Sequence, residues 1–188
     1  MKRRLPFVVL ALLALVLPAR AAEQTLHLDP QKTRVTFALG ATMHTVHGSL
    51  PLTTGEIRFD LESGAASGDV RFDARRTETG NEKRDKKMHS KVLESERFPE
   101  IVFTPSRVEG ELTSSGRIEI TLHGSVSIHG TEHPISLEAV VDLEGDGISG
   151  SFDFSVPYVA WGMKDPSVML LRTAKEVEVT VEVQGTLE

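Results

Sequence analysis

The chain has 188 residues, a formal net charge of −6, no cysteine, and 39% hydrophobic residues of which few are aromatic. Without cysteine there are no disulfides, no thiolate metal sites and no lipidated N-terminal cysteine. The acidic balance argues against a nucleic-acid partner and against electrostatic adsorption to anionic membranes.

The first 21 residues stand apart from the rest. Lys2, Arg3 and Arg4 precede an apolar run from Phe7 to Leu17, then Pro18 and the small-residue site Ala19-Arg20-Ala21. A basic start, a short greasy middle and an A-x-A exit predict a signal peptide over 1–21, cleaved before Ala22. The run is shorter than the ~20 apolar residues that span a bilayer, so a membrane anchor is the weaker reading. Leu5-Pro6 after the arginine pair does not fit a twin-arginine signal, which leaves Sec-type export to the periplasm or beyond. The leader holds four cations and no acid, so cleavage leaves 17 basic against 27 acidic residues, a net −10. Residues 22–188 suit one domain with one core.

From there the chain is written in twos. Apolar residues alternate with polar ones in Val35/Phe37/Leu39, Ile57/Phe59/Leu61 and Val70/Phe72/Ala74. The pattern resumes in Ile118/Ile120/Leu122, Ile135 to Leu143, Ile148 to Val156 and Val177 to Val183. Each run makes a strand with one greasy and one wet face, the habit of antiparallel sheets. Turn signals such as Thr54-Gly55, Ser63-Gly64, Ser115-Gly116 and Gly145-Asp146-Gly147 punctuate them. So many one-faced strands must share an interior. The prediction from alternation is an all-β, antiparallel fold, a barrel or a sandwich.

Between 78 and 94 the period of two fails. Asn81 is a candidate N-cap with Glu82 just inside, and Met88 and Val92 fall four apart. This predicts a short helical insertion whose narrow apolar stripe belongs at a barrel rim. Its cations Lys83, Arg84, Lys86, Lys87 and Lys91 form either a solvated face or a landing site for an anionic head group. Later, Tyr158 and Trp161, the only Tyr and Trp, lie together before Asp165-Pro166-Ser167 and the last strand. They are placed to plug the barrel end or to gate it.

Seven histidines raise the question of a metal. His44 and His47 are three apart and His129 and His133 four apart, but Gly130 and Pro134 make the second pair part of a turn. The first pair falls on opposite strand faces. A histidine-dependent metal-binding barrel without lipid is therefore the alternative reading, and no metal ligand set is assigned. A nucleophile is missing too, with no cysteine and no G-x-S-x-G elbow, so no catalytic residue and no enzymatic activity are assigned.

Several segments carry a family resemblance. Arg84-Asp85, Met88, Leu93-Glu94-Ser95, Phe98-Pro99-Glu100-Ile101 and Phe103 resemble the central signature of the YceI-like proteins. His47-Gly48-Ser49-Leu50 through Asp60 is similar to the early hairpin, and Gly124 to Thr131 to the later G-x-L-T-I-x-G-x-T element. The chain departs from the pattern at Val92-Leu93, at Val126-Ser127 and Glu132, and in the elaborate 158–167 segment. The resemblance implies a periplasmic lipocalin-like barrel, often a homodimer, whose interior takes a polyisoprenoid or other long-chain lipid as ligand rather than a cofactor. It implies an antiparallel lipocalin-like barrel of about eight strands with no general catalytic site, while the acidic charge argues against nucleic acid and the short apolar run of the leader against stable membrane insertion.

The geometry of a small barrel suits the same kind of ligand. Eight strands enclose room for packed side chains or one slender molecule. Inward candidates Val35, Val70, Ala74, Gly150 and Val181 are small or β-branched, which leaves a narrow channel unless the core packs solid. Burying about a dozen tail carbons at roughly 0.8 kcal/mol each gives on the order of 10 kcal/mol gross. Phe37, Phe72, Phe103, Phe152, Trp161 and Met163 are the candidate tail contacts, and Arg84 and Lys87 the candidate head-group contacts.

Overall fold

Every one of the seven alternating runs forms a strand, and three further strands join them. The computed structural model describes residues 23–111 and 115–188; the predicted signal peptide lies outside the described residues. The strands are β1 (Glu23–Leu28), β2 (Arg34–Gly40), β3 (Thr45–Ser49), β4 (Leu52–Asp60), β5 (Ala66–Asp73), β6 (Glu100–Gly110), β7 (Gly116–Ile128), β8 (Thr131–Glu144), β9 (Gly147–Val156) and β10 (Val177–Leu187). Two runs stop one residue earlier than their alternation suggests. Leu61 leaves the strand because the Asp60 side chain accepts the backbone N–H groups of Glu62 and Ser63 and turns the chain. Ala74 begins a 3-10 turn, Ala74–Arg76, capped by Asp73.

The strands that lacked a clear pattern are β1, β3 and β6. β1 buries only Leu26 and Leu28, and β3 only Val46, so neither has a run to count. β6 is broken by Pro105, where its register against β7 shifts between Pro105 and Arg107. A proline cannot donate to the ladder, and an irregularity is where a sheet tolerates one.

Closure comes from β10. Its last residues pair with β1 (Leu26 opposite Leu187) and its first with β2 (Val35 opposite Val181), while its other edge pairs with β9 along ten residues. β1 and β2 are thus two halves of one stave, interrupted where the Lys32 and Thr33 N–H groups fold back onto the Asp29 carbonyl. β3 and β4 form a second interrupted stave beside it, β3 on β2 and β4 on β1. Counting these as two gives a closed antiparallel barrel of eight staves. Closure between β1 and β10 joins the ends of the sheet, and the outer edge of β3 is met only by the Glu78 bridge at Ser49.

The two ends differ. At one end the connections are tight turns such as 61–65 and 145–146. At the other lie 41–44, the long 74–99 insertion and the 157–176 loop. The insertion holds α1 (Glu82–Lys87), whose N-terminus is capped by the Asn81 side chain accepting from the Arg84 N–H at 3.1 Å. A wider turn at Met88–Val92 continues it. The predicted helix is therefore present and sits at the barrel mouth, held there by its surroundings, since six residues make no stable helix alone.

Candidate binding cavity

The greasy faces of the staves do not meet in the middle. They enclose a cavity of about 500 Å³, walled from Leu28 and Ile57 at depth to Leu39, Val126 and Val177 near the mouth. That volume lies within the range of small-ligand sites. The wall is apolar because inward positions repeat every second residue: Val177, Val179, Val181 and Val183 all border it, while Glu178, Glu182 and their neighbours face water. Phe152 and Phe154, two apart on β9, stack along the same wall with ring centroids 6.1 Å and planes 27° apart.

Phe37, Phe72, Phe103, Phe152, Trp161 and Met163 all border this space, as do Arg84 and Lys87. Phe103 takes its place against Gly124, where a Cβ would lie 2.8 Å from the ring. Trp161 stacks on His133 with centroids 4.2 Å apart and planes 3° apart. It does so within a second apolar cluster formed by Val156, Tyr158 and Met163. The loop that carries it turns sharply, with the Met163 N–H donating to the Tyr158 carbonyl and the Tyr158 hydroxyl donating to the Ala174 carbonyl at 2.9 Å. Burial pushes the Tyr158 hydroxyl above its ordinary pKa. The segment is thus both a plug in the barrel end and a wall of the cavity.

The mouth is polar on one side. Thr77 is only 6% exposed, borders the cavity, and its Oγ1 has no hydrogen-bond partner. A buried hydroxyl left so is costly unless something else satisfies it. Beside it, Arg84 donates from Nε to the Thr79 hydroxyl at 2.7 Å and from a terminal nitrogen to the Thr79 carbonyl at 2.8 Å. Lys87 donates to the Pro166 carbonyl at 3.0 Å, tying α1 to the 157–176 loop. Both cations are held by neutral oxygens, and among the described residues neither forms a direct ion pair. By contrast Asp165 is bonded to Lys175, Ser167 and Thr173, chiefly the first, and is held far below the usual carboxylate range.

Sequence reading missed Thr77, Thr79 and Arg172 at the mouth, and Leu26, Leu28 and Ile101 in the wall. The wall residues carry a weak signal, two-residue alternations in short or broken strands. The mouth residues carry none, because only the packing of the insertion on the loop brings them together. The histidines do not converge. His133 is taken by Trp161, and His129 packs on Phe98 with Nε2 3.9 Å from Glu94. Among the described residues no group of three His, Asp or Glu is placed to hold a metal.

Comparison with known proteins agrees with this architecture. A profile of the YceI-like domain matches residues 26–185. The protein YceI of Salmonella newport strain SL254 is 27% identical over 192 aligned positions, 98% of this chain and 97% of that protein. Among solved structures, BcnA of Burkholderia cenocepacia superposes with a TM-score of 0.69 at 14% identity, covering 85% of this chain and 99% of the other. A polyisoprenoid binding domain from Saccharophagus degradans superposes with a TM-score of 0.68 at 13% identity, covering 89% and 99%. With a matching profile over nearly all of the barrel, the chain belongs to the YceI-like family.

Proposed function

We propose that the protein is an exported, non-enzymatic carrier that holds a polyisoprenoid-type lipid with its tail in the barrel. The observation that carries this is the form of the cavity, an apolar lumen bordered at one end by the polar and cationic Thr77, Arg84 and Lys87. Such a shape suits a molecule with a long greasy tail and one charged end. The binding named for the Saccharophagus relative supports the same class of ligand, and the predicted leader supports export to the periplasm. The tail runs past Phe152, Phe103, Phe72 and Phe37, and Trp161 and Met163 close over it. The head group lies among Thr77, Arg84 and Lys87, where the Thr77 hydroxyl gains the partner it lacks.

Organic extraction of protein purified from its native host, followed by mass spectrometry, tests this reading. A stoichiometric long-chain isoprenoid is expected; an empty extract or a short polar ligand would count against it. Trp161 gives a second readout. Titrating extracted protein with a long prenyl lipid should blue-shift its emission saturably, and Trp161→Ala should weaken tail binding by more than about 1 kcal/mol, the scale of a buried aromatic anchor.

Arg84 and Lys87 separate head from tail. Reversing both to Glu should weaken a prenyl pyrophosphate at least tenfold more than the matching prenyl alcohol, because charge-assisted bonds to phosphate are strong while exposed pairs contribute only ~0–1 kcal/mol. Equal losses for the two ligands would return α1 to the role of a solvated rim.

A further inference from the structure

The 157–176 loop carries a feature that neither barrel closure nor the cavity explains. Val168 and Leu171 form a small antiparallel hairpin through reciprocal backbone hydrogen bonds of 2.9 and 2.8 Å, which leaves Met169 and Leu170 at its tip. Two-residue hairpin turns ordinarily take Asn-Gly or Asp-Gly, because the first position needs a left-handed backbone. Here Met169 adopts it, at φ 43°, and the tip residues are 96% and 87% exposed. Large apolar side chains at a strained, solvated turn serve neither the turn nor the core.

The tip is not alone. Thr42 locks the hairpin to the β2–β3 connection, donating from its N–H to the Arg172 carbonyl at 2.9 Å and accepting the Arg172 N–H on its hydroxyl at 2.8 Å. That contact sets Met43, 82% exposed, beside the hairpin. Met43, Val168 and Leu171 also border the lumen, so the exposed apolar surface is continuous with the cavity wall. A strip of grease thus runs from solvent into the barrel.

Charge is segregated to the same end. The insertion 74–99 and the loop 157–176 together hold eleven Lys and Arg against seven Asp and Glu. The rest of residues 23–188 holds six against twenty. The mouth end is therefore net +4 and the barrel body net −14, which the overall acidic balance conceals. Asp165, at the base of the hairpin, is already paired with Lys175. Arg172 is part of the hairpin, and Lys87 reaches its base through Pro166.

We propose that this end docks on an anionic phospholipid bilayer, with Met43, Met169 and Leu170 entering the head-group layer and the surrounding cations resting on the phosphates. An apolar wedge ringed by Lys and Arg is the chemistry of interfacial binding. The acidic body is repelled, so a molecule approaching an anionic surface is turned mouth-first. The greasy strip then joins the bilayer interior to the lumen, and a tail can pass without crossing water. Transfer of a tail in this way rests on the carrier reading above; docking itself does not.

Vesicle flotation tests docking directly, using the full exported chain and vesicles of phosphatidylcholine with or without phosphatidylglycerol. The informative variant is Met169→Asn with Leu170→Gly, which supplies ordinary turn chemistry and touches no residue bordering the lumen. The native protein should float with phosphatidylglycerol vesicles and largely lose this in pure phosphatidylcholine or in high salt. The variant should bind the anionic vesicles at least tenfold more weakly while its melting temperature and its uptake of prenyl lipid from detergent stay unchanged. Equal flotation of both proteins, or none by the native one, would overturn the proposal. So would a native dimer, by light scattering, that the variant abolishes, because the patch would then belong to a second copy. Docking without any prenyl uptake by either protein would instead overturn the carrier reading and leave docking standing.

Discussion

Replacing Ala139 with tryptophan should reduce affinity for a long prenyl tail at least a hundredfold and leave the melting temperature within a few degrees of the native value. Ala139 lies on β8 opposite Ile120 and borders the lumen. An indole there displaces on the order of six tail carbons, and at roughly 0.8 kcal/mol per buried CH₂ the gross loss is about 5 kcal/mol. In a close-packed core such a substitution would itself cost about 1–3 kcal/mol or more by overpacking. Here the ring enters space that the protein leaves open, so its own burial offsets the strain. Short-chain analogues, which need less depth, should lose much less. Affinity measured against chain length separates these outcomes, and undiminished binding of the longest tail would place that tail outside the barrel.

The largest effect on stability is expected at Gly68. Its φ is 114°, and a Cβ there would lie 2.2 Å from the Glu56 carbonyl oxygen on β4, a backbone atom that cannot swing away. The position faces Ile57 in the β4–β5 register, which aims Ile57 and Val70 into the core. Gly68→Ala should therefore cost roughly 3–4 kcal/mol from strain and displaced backbone. At about 2–4 °C per kcal/mol for a chain of this size, that is a fall of on the order of 10 °C. Gly80 is the control. It also has a positive φ, 74°, but nothing lies within 4 Å of its Cβ position, so Gly80→Ala should cost only about 1–2 kcal/mol of backbone preference. Thermal unfolding of the two variants side by side checks the register; equal melting temperatures would mean that β4 and β5 pair differently.

The barrel was legible because its physics is local. Alternation of period two in β10, β9 and β8 names both the strand and its inward face, since a one-residue slip would turn every valine of Val177 to Val183 outward. The same rule placed Phe37, Phe72 and Phe152 on the lumen side, where the structure has them. The helical insertion was legible from the loss of that period and from Asn81 at its start, which caps α1.

Other properties required the closed fold. No pattern tells whether inward side chains meet or stop short, because the space left depends on how eight staves of unequal length tilt and close. Nor does sequence show that β1 and β2 share one partner, a pairing set by β10 reaching past the break at Asp29. The mouth is the clearest case. Thr77, Arg84, Lys87 and Arg172 are drawn from two connections nearly a hundred residues apart, and only antiparallel alternation brings both to one end. Net charge likewise comes from composition, whereas its separation into a basic mouth and an acidic body depends on which loops share an end. The sequence by itself determined seven of the ten strands, their inward faces and the family. Tertiary structure decided the cavity, the orphaned hydroxyl at its entrance and the placing of the apolar tip beside the mouth, because each depends on contacts between segments that are distant in the chain.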